Sequence, residues 1–310
     1  MPVGVLLALV CYSLYSVGDS VTKSFTGGTL SVFEILFFVS LFALIAVPFA
    51  RAPGDTLGNV LKLRRPLLMN ARALLYTLAT VFFVFAVTSI PFAETYSLAF
   101  LAPLFLTLLS ALLLKERIAP IRWVLVILSF VGVLIVVRPG FRELGLGHIA
   151  AVGCAILAAS SNTILRVISN SERQISIIVV NGIYQLVVNG ALMLFAHFVV
   201  PTPGEFLRLA AVGVMSGFAL ILLIRGMQRA PASHIGPTQY VQIIWAIALG
   251  AIFYGETQDW IGYVGLALLV LAGVATIFSD GAQARISGRW AEFRARRGEP
   301  PVNPIDGPEL

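Results

Sequence analysis

Apolar residues run along this chain in ten blocks, roughly 3–22, 30–50, 68–88, 91–114, 119–137, 147–168, 174–198, 205–227, 231–254 and 260–278. Each is close to the ~20 residues a helix needs to cross a bilayer. Polar residues gather between them with glycine and proline: Gly27-Gly28, Pro53-Gly54, Pro139-Gly140, and Pro201 to Pro203. Strands of a membrane β-barrel would be short and alternating, which these blocks are not. Inside hydrocarbon every backbone N–H and C=O has to be paired within the segment, so long apolar blocks are helices. The pattern predicts an all-α membrane protein of about ten transmembrane helices. The first block starts at residue 2 with no basic stretch before it, and similar blocks follow at once. It reads as a retained helix and not as a cleaved signal.

The blocks also repeat. Residues 91–139 align without gaps on 231–279, placing Pro91 on Pro231, Leu109 on Leu249, Glu116 on Glu256 and Ile121 on Ile261. Matching apolar residues mean little in so apolar a chain; a proline and a glutamate at corresponding helix ends mean more. A second echo lines up Cys11, Gly18, Asp19, Ser20 and Lys23 with Cys154, Ser161, Asn162, Thr163 and Arg166. Two repeats follow, residues 1–140 and 141–280, with a basic, proline-rich tail at 281–310. Five segments per repeat is an odd number, so the halves lie upside down to one another. Inverted repeats of this kind belong typically to secondary transporters that alternate access to a site between the halves.

Composition agrees: 58% of residues are hydrophobic, only 12% are charged, and mean hydropathy is +0.93. A soluble chain carries about twice that charge. The net charge of +6 is a matter of placement. With the N-terminus inside, one side holds Arg51, Lys62, Arg64 and Arg65, then Lys115, Arg117 and Arg122, then Arg166 and Arg173, then Arg225 and Arg229. The tail adds Arg285, Arg289, Arg294, Arg296 and Arg297 to that side, and Arg72 lies at the start of the third block. Only Lys23, Arg138, Arg142 and Arg208 fall on the other. This asymmetry predicts both termini in the cytoplasm and a multi-pass protein of the inner cell membrane. It is topology information and not a nucleic-acid stripe. Ile286, Trp290 and Phe293 share a helical face in the tail, consistent with a surface helix on an anionic leaflet and equally with a solvated tail. Residues 299–308 read as disordered. Cys11 and Cys154 both sit inside apolar blocks, so no disulfide framework is expected.

Pro91-Phe-Ala-Glu-Thr-Tyr96, Ala102-Pro103-Leu104, Leu113-Leu114-Lys115-Glu116-Arg117, Arg122-Trp123 and Gly132-Val133-Leu134-Ile135-Val136-Val137-Arg138-Pro139 resemble the first EamA-type half of the drug/metabolite transporter superfamily. Tyr240-Val-Gln-Ile-Ile-Trp245-Ala and Tyr254-Gly255-Glu256 resemble the second. The resemblance covers about residues 3–280. It implies ten helices, two inverted repeats and a central substrate cavity. Its relatives move amino acids, vitamins such as riboflavin, S-adenosylmethionine and other metabolites, inward or outward. Many of them carry an arginine after a Phe pair in the second helix and another before the tyrosine of the ninth. Here those places read Phe37-Phe38-Val39 and Gln239. The missing cations imply an amphipathic substrate that is neutral or zwitterionic.

Polar residues retained in spans usually face the bundle interior or a cavity. The ninth block is the richest, with Thr238, Gln242 and Trp245 on one helical face and Gln239 and Tyr240 beside it. Their repeat partners Leu98, Ala102 and Phe105 are apolar, so the scaffold does not impose that polarity. Pro237 would free a backbone carbonyl nearby. The seventh block offers Asn181, Tyr184 and Gln185, with Asn189 a turn further on, balanced between a cavity lining and hydrogen bonds between helices. Tyr76 and Thr80 in the third block, Tyr96 and Ser97 in the fourth, and Ser160 and Asn162 in the sixth form a looser set. The expected substrate contacts are Thr238, Gln239, Tyr240, Gln242, Trp245, Asn181, Tyr184, Gln185, Tyr76 and Tyr96, and packing between helices is the expected role for the rest of the looser set. The acids Asp19, Glu34 and Glu94 fall toward the outer helix ends, near Lys23. Asp19 and Glu34 are candidates for proton coupling. Glu116 and Glu256 read as architecture at helix ends, and Arg72 and Arg225 as side chains snorkelling to the interface. Trp123, Trp260 and Tyr263 suit an interfacial aromatic belt. Gly213 and Gly217 form a GxxxG hint of close packing.

The leading function is alternating-access transport of a small organic metabolite. The alternative is a non-transport membrane protein, whether an intramembrane enzyme or a structural or receptor-like one. Neither HExxH nor GxSxG occurs, and His148, His197 and His234 are scattered, so no catalytic residue, metal or cofactor is expected. Without a P-loop the chain is a facilitator or an ion-coupled carrier. The expected partners are a small-molecule substrate and the lipid bilayer, with a homodimer left open and no nucleic acid.

Overall fold

The computed structural model describes residues 2–50, 60–113, 120–138, 143–168, 171–196, 198–227, 229 and 235–275. The tail and Glu116 therefore lie outside the described residues. Among those described, every regular element is a helix: α1 (Pro2–Lys23), α2 (Val32–Ala43), α3 (Pro66–Ser89), α4 (Phe92–Ala99), α5 (Ala102–Leu113), α6 (Pro120–Val137), α7 (Leu146–Ile168), α8 (Gln174–Phe195), α9 (Pro203–Met227), α10 (Val241–Tyr254) and α11 (Trp260–Ala275). Among the described residues seven spans are long and apolar enough to cross a membrane, and three shorter apolar helices, Trp123–Val137, Thr238–Tyr254 and Trp260–Ala275, take the remaining places. Large apolar side chains face outward, Ile244 at 63%, Ile252 at 73% and Leu271 at 66% exposure. Such an apolar exterior suits lipid as the solvent.

Three predicted segments are not continuous α-helices. The second tightens after Ala43 into a 3₁₀ stretch, Leu44–Ala50, with Pro48 inside it. The fourth breaks at Phe100 and Leu101, between α4 and α5. Pro103 stands in the first turn of α5, where a missing N–H costs nothing, whereas inside a continuous helix its ring would collide with the Ala99 carbonyl. The ninth opens as a 3₁₀ stretch, Gly236–Tyr240, before α10 begins at Val241. Phe100 and Tyr240 are equivalent positions of the repeat, so the two breaks fall at the same place in each half.

The helix contacts follow the repeat. α1 crosses α9 extensively, and its counterpart α7 crosses α3. α2 packs on α9 as α8 packs on α3, while α2 meets α8 and α4 meets α10 across the centre. Each half thus lends its first helix to the other, and neither has a closed core alone. Two contacts bring backbones together. A Cβ added to Gly213 would lie 2.5 Å from the Val39 carbonyl oxygen, and one on Gly217 2.8 Å from that of Ala43, so the GxxxG face of α9 receives α2. Gly132 of α6 and Gly265 of α11 face one another, each Cβ position within 3.0 Å of the other's carbonyl oxygen.

One end of the bundle is tied by charge. Gly255 ends α10 with φ of 63°, a left-handed conformation that glycine adopts without strain, and the next N–H, from Glu256, returns to the Gly250 carbonyl at 3.0 Å. That turn carries the Glu256 carboxylate inward. It accepts from Phe92 N–H at 2.6 Å and pairs with Lys23 Nζ at 2.9 Å. Lys23 Nζ also donates to the carbonyls of Val87 (3.0 Å) and Ile90 (2.7 Å). Glu256 therefore caps α4 of the opposite half and not the start of its own next helix. That nearer role belongs to Asp259, which accepts from Gly262 N–H at 3.0 Å. Lys23, expected beside the acids of its own half, is committed to Glu256.

Candidate functional site

The two helix breaks meet at the centre of the protein. The Phe100 and Tyr240 rings stack there with centroids 5.0 Å apart and 17° between their planes. Beside this stack lies a cavity of about 220 Å³. Tyr15 and Asp19 of α1 and Phe83 of α3 form one wall; Tyr96, Ala99 and Phe100 come from α4 and the break after it; Gln239 and Gln242 come from the start of the ninth segment. Ala99 and Phe100 are the repeat equivalents of Gln239 and Tyr240, so both halves contribute the same positions with different chemistry.

The polar groups form a relay. Gln242 Nε2 donates to Tyr96 Oη at 3.4 Å, and Tyr96 Oη donates to Asp19 Oδ2 at 2.5 Å. The Tyr96 ring is held edge-on by Phe83 (5.8 Å) and Phe92 (5.2 Å), which aims its hydroxyl at α1. Tyr96 and Gln242 are buried, Asp19 is half-buried and Gln239 is exposed. Further along the same helices Trp245 Nε1 donates to Ser13 Oγ at 2.8 Å, tying α10 to α1. Toward the charged end Tyr254 Oη donates to the Ser20 carbonyl.

Of the residues expected from the sequence, Asp19, Tyr96, Gln239 and Gln242 line this cavity, with Tyr240 stacked at its edge. Tyr15, Phe83, Ala99 and Phe100 line it too and were not anticipated; Phe100 could have been found by applying the repeat offset to Tyr240. Thr238 is buried, its hydroxyl donates to the Ile235 carbonyl at 2.5 Å in the 3₁₀ stretch, and it is not among the residues lining the cavity. The α8 residues point elsewhere. Asn181 Oδ1 accepts from Arg72 Nη1 (2.8 Å), Gln185 Nε2 donates to Thr80 Oγ1 (2.8 Å), and Asn189 Nδ2 donates to Gln185 Oε1 (2.9 Å). All three join α8 to α3 or to itself. Tyr184 packs on the cluster of Met69, Ala73 and Ile168.

Tyr76 is 40% exposed, with the Arg72 guanidinium 5.9 Å from its ring. Arg72 does not snorkel: it is 6% exposed and sealed between α3, α7 and α8, where its carbonyl also accepts from Ser161 Oγ at 3.1 Å. Glu34 is fully buried at the start of α2, away from the cavity. One oxygen accepts from Ser31 N–H (2.7 Å) in a capping box and the other from Val199 N–H (2.6 Å). Glu94, at the charged end, meets His148 Nε2 at 3.1 Å, while His148 Nδ1 accepts from Gly145 N–H at 3.1 Å, which leaves the ring proton on Nε2.

A cavity built from interrupted helices of two repeats has the arrangement of secondary transporters. The comparisons with known proteins agree. The model of the EamA-like transporter family matches twice, over residues 2–138 and 145–279. The chain belongs to the EamA-like transporter family. It is 30% identical over 278 residues to the pseudopaline exporter CntI of Pseudomonas aeruginosa, covering 88% of this chain and 95% of that one. It is 24% identical to the S-adenosylmethionine uptake transporter of Rickettsia prowazekii over 89% of this chain and 91% of the relative. To the riboflavin transporter of Rhizobium johnstonii it is 25% identical, over 74% and 76%. A solved crystal structure shares its fold with a TM-score of 0.65 at 19% identity, over 90% of this chain and 98% of the other. This EamA-family chain is a multi-pass membrane protein of the drug/metabolite transporter superfamily, and its relatives carry small metabolites.

Proposed function

We propose that this protein is a secondary transporter that moves a small, amphipathic organic metabolite through the cavity between Asp19, Tyr96 and Gln242 by alternating access. The observation that carries the reading is the coincidence of the two helix breaks at Phe100 and Tyr240 with a polar cavity, in a chain whose relatives are named transporters. Inverted halves exchanging their contacts would open the site first to one side and then to the other. The tie from Lys23 to Glu256 closes one end. Gln239 and Gln242 supply amide contacts, and Tyr240, Tyr96, Phe83 and Phe100 an aromatic wall. Trp245 holds α10 against α1 through Ser13, while Asn181 and Gln185 join α8 to α3. Of the two acids considered for proton coupling, Asp19 is the one that faces the cavity, so coupling belongs there. The repeats at 1–140 and 141–280 are the moving units, and the asymmetry of basic residues supports both termini on the cytoplasmic side of the inner membrane.

Proteoliposome flux of a metabolite panel is the test. The wild-type chain moves at least one member, and Gln242→Ala lowers that flux by about tenfold, the worth of one lost hydrogen bond to the cargo. Membrane expression is retained. A wild-type protein that moves none of the panel counts against transport, and Gln242→Ala at the parental rate removes the proposed binding surface.

A further inference from the structure

We infer that the cavity selects a cargo carrying a protonated amine or other organic cation next to a planar apolar group, with Asp19 as the specificity-determining residue. The inference deepens the transport reading and rests on it. It replaces the neutral or zwitterionic class expected from the missing arginines with cargo that has a positive head, zwitterions ranking below simple cations.

The charge balance of the wall is the first reason. Asp19 is the carboxylate among the described residues lining the cavity, and none of those residues is a lysine or arginine. The nearest cation along α1, Lys23, is spent on Glu256 and on the carbonyls of Val87 and Ile90. Arg72 is turned to Asn181 on the α8 side. A carboxylate in an apolar bundle without a cation is costly, and a bound cation relieves that cost.

The direction of the hydrogen bonds is the second. The Gln242 amide donates to Tyr96 and the Tyr96 hydroxyl donates to Asp19 Oδ2, so the chain of donors in the wall ends on one carboxylate oxygen. That arrangement holds Asp19 as an acceptor and leaves its other oxygen to a donor arriving from the cavity. Ammonium groups are donors only, which matches it.

The aromatic lining is the third. Phe83, Tyr96 and Phe100 present ring surface to the same space, and the electron-rich faces of such rings attract organic cations. A cavity of about 220 Å³ exceeds the ~150 Å³ that accommodates benzene, so one aromatic ring with a two-carbon amine arm fits.

A matched series varying only in the head group tests this on the purified full-length protein: phenethylamine, phenylalanine, 3-phenylpropionate and phenethyl alcohol. Titration calorimetry should show phenethylamine binding about tenfold or more tightly than the carboxylate and the alcohol, with phenylalanine between. Asp19→Asn should bring the four to within about twofold of one another, and Asp19→Glu should restore the ranking. Asp259→Asn, at the surface pair with Arg138, should leave it unchanged. A wild-type protein that ranks the four equally, favours the carboxylate or binds none of them overturns the inference, even if Asp19→Asn does not fold. So does an amine preference that survives Asp19→Asn. Proteoliposome flux separates the two levels. Transport of neutral or anionic metabolites without amine preference sinks the cation inference and leaves transport standing. Amine binding with no flux of any solute does the reverse.

Discussion

Tyr96 shows how much one hydroxyl can organise. Its oxygen lies between the Gln242 amide and the Asp19 carboxylate, and so joins α4, α10 and α1 at the cavity. Tyr96→Phe keeps the ring contacts with Phe83 and Phe92 and removes only that bridge. The expected result is a folded protein, destabilised by about 1 kcal/mol, with reduced flux per molecule of membrane-embedded transporter. Glu34 makes the opposite case. Buried, and bonded through both oxygens to backbone N–H groups, it holds the entry to α2 and the chain at Val199. Glu34→Gln exchanges an acceptor for a donor facing one of those amides. It should lower thermal stability by about 1–3 kcal/mol while leaving ligand affinity in the purified protein unchanged. Polarity within the spans was plain in the sequence, but which of these two acids faced the cavity was not. Both occur in apolar blocks, and only the neighbouring helices distinguish them.

Among the elements, helix boundaries were legible to within a few residues wherever proline, glycine or charge marks them. Pro66 opens α3 and Pro203 opens α9 as their predicted blocks suggested. Breaks inside the spans were only partly legible. Pro237 and the polar run around Tyr240 marked the ninth segment, whereas hydropathy is continuous across Phe100, and in lipid the freed backbone groups are satisfied by other helices, which a single segment does not reveal. Close helix crossings are a second feature of this scale. The Cβ of any larger residue at Gly213 meets the Val39 carbonyl oxygen and the Phe42 side chain, both at 2.5 Å. Gly213→Leu should separate α9 from α2, and the yield of monodisperse protein after extraction should collapse. The same change at Gly204, which has open space around its Cβ position, should be tolerated.

At the scale of the whole molecule, the pairing of α1 with α9 and of α7 with α3 makes each half incomplete without the other. The Lys23–Glu256 contact is one place where that dependence is carried by charge. Lys23 is 6% exposed along its side chain, so Glu256→Gln leaves a buried ammonium facing carbonyls alone. A loss of about 3 kcal/mol is expected, read as a lower melting temperature in detergent. Orientation belongs to this scale too. With the basic residues distributed as they are, reporter domains fused to either terminus should both be active in the cytoplasm. Activity of one on the opposite side would overturn the proposed topology.

The sequence by itself determined the solvent, the helical class, the count of spans and the internal repeat. All four follow from composition and periodicity, which a one-dimensional string carries in full. It also identified the superfamily and four of the cavity's polar residues, Asp19, Tyr96, Gln239 and Gln242. Only the tertiary structure decided what each polar group does. Asn181 and Gln185 were indistinguishable from cavity residues until α3 was seen against α8, and Glu256 was a helix-end marker until Phe92 and Lys23 were found beside it. A buried polar group takes its meaning from its partner. In a protein built from inverted halves several of those partners lie in the other half, 109 residues away for Arg72 and Asn181 and 164 for Phe92 and Glu256.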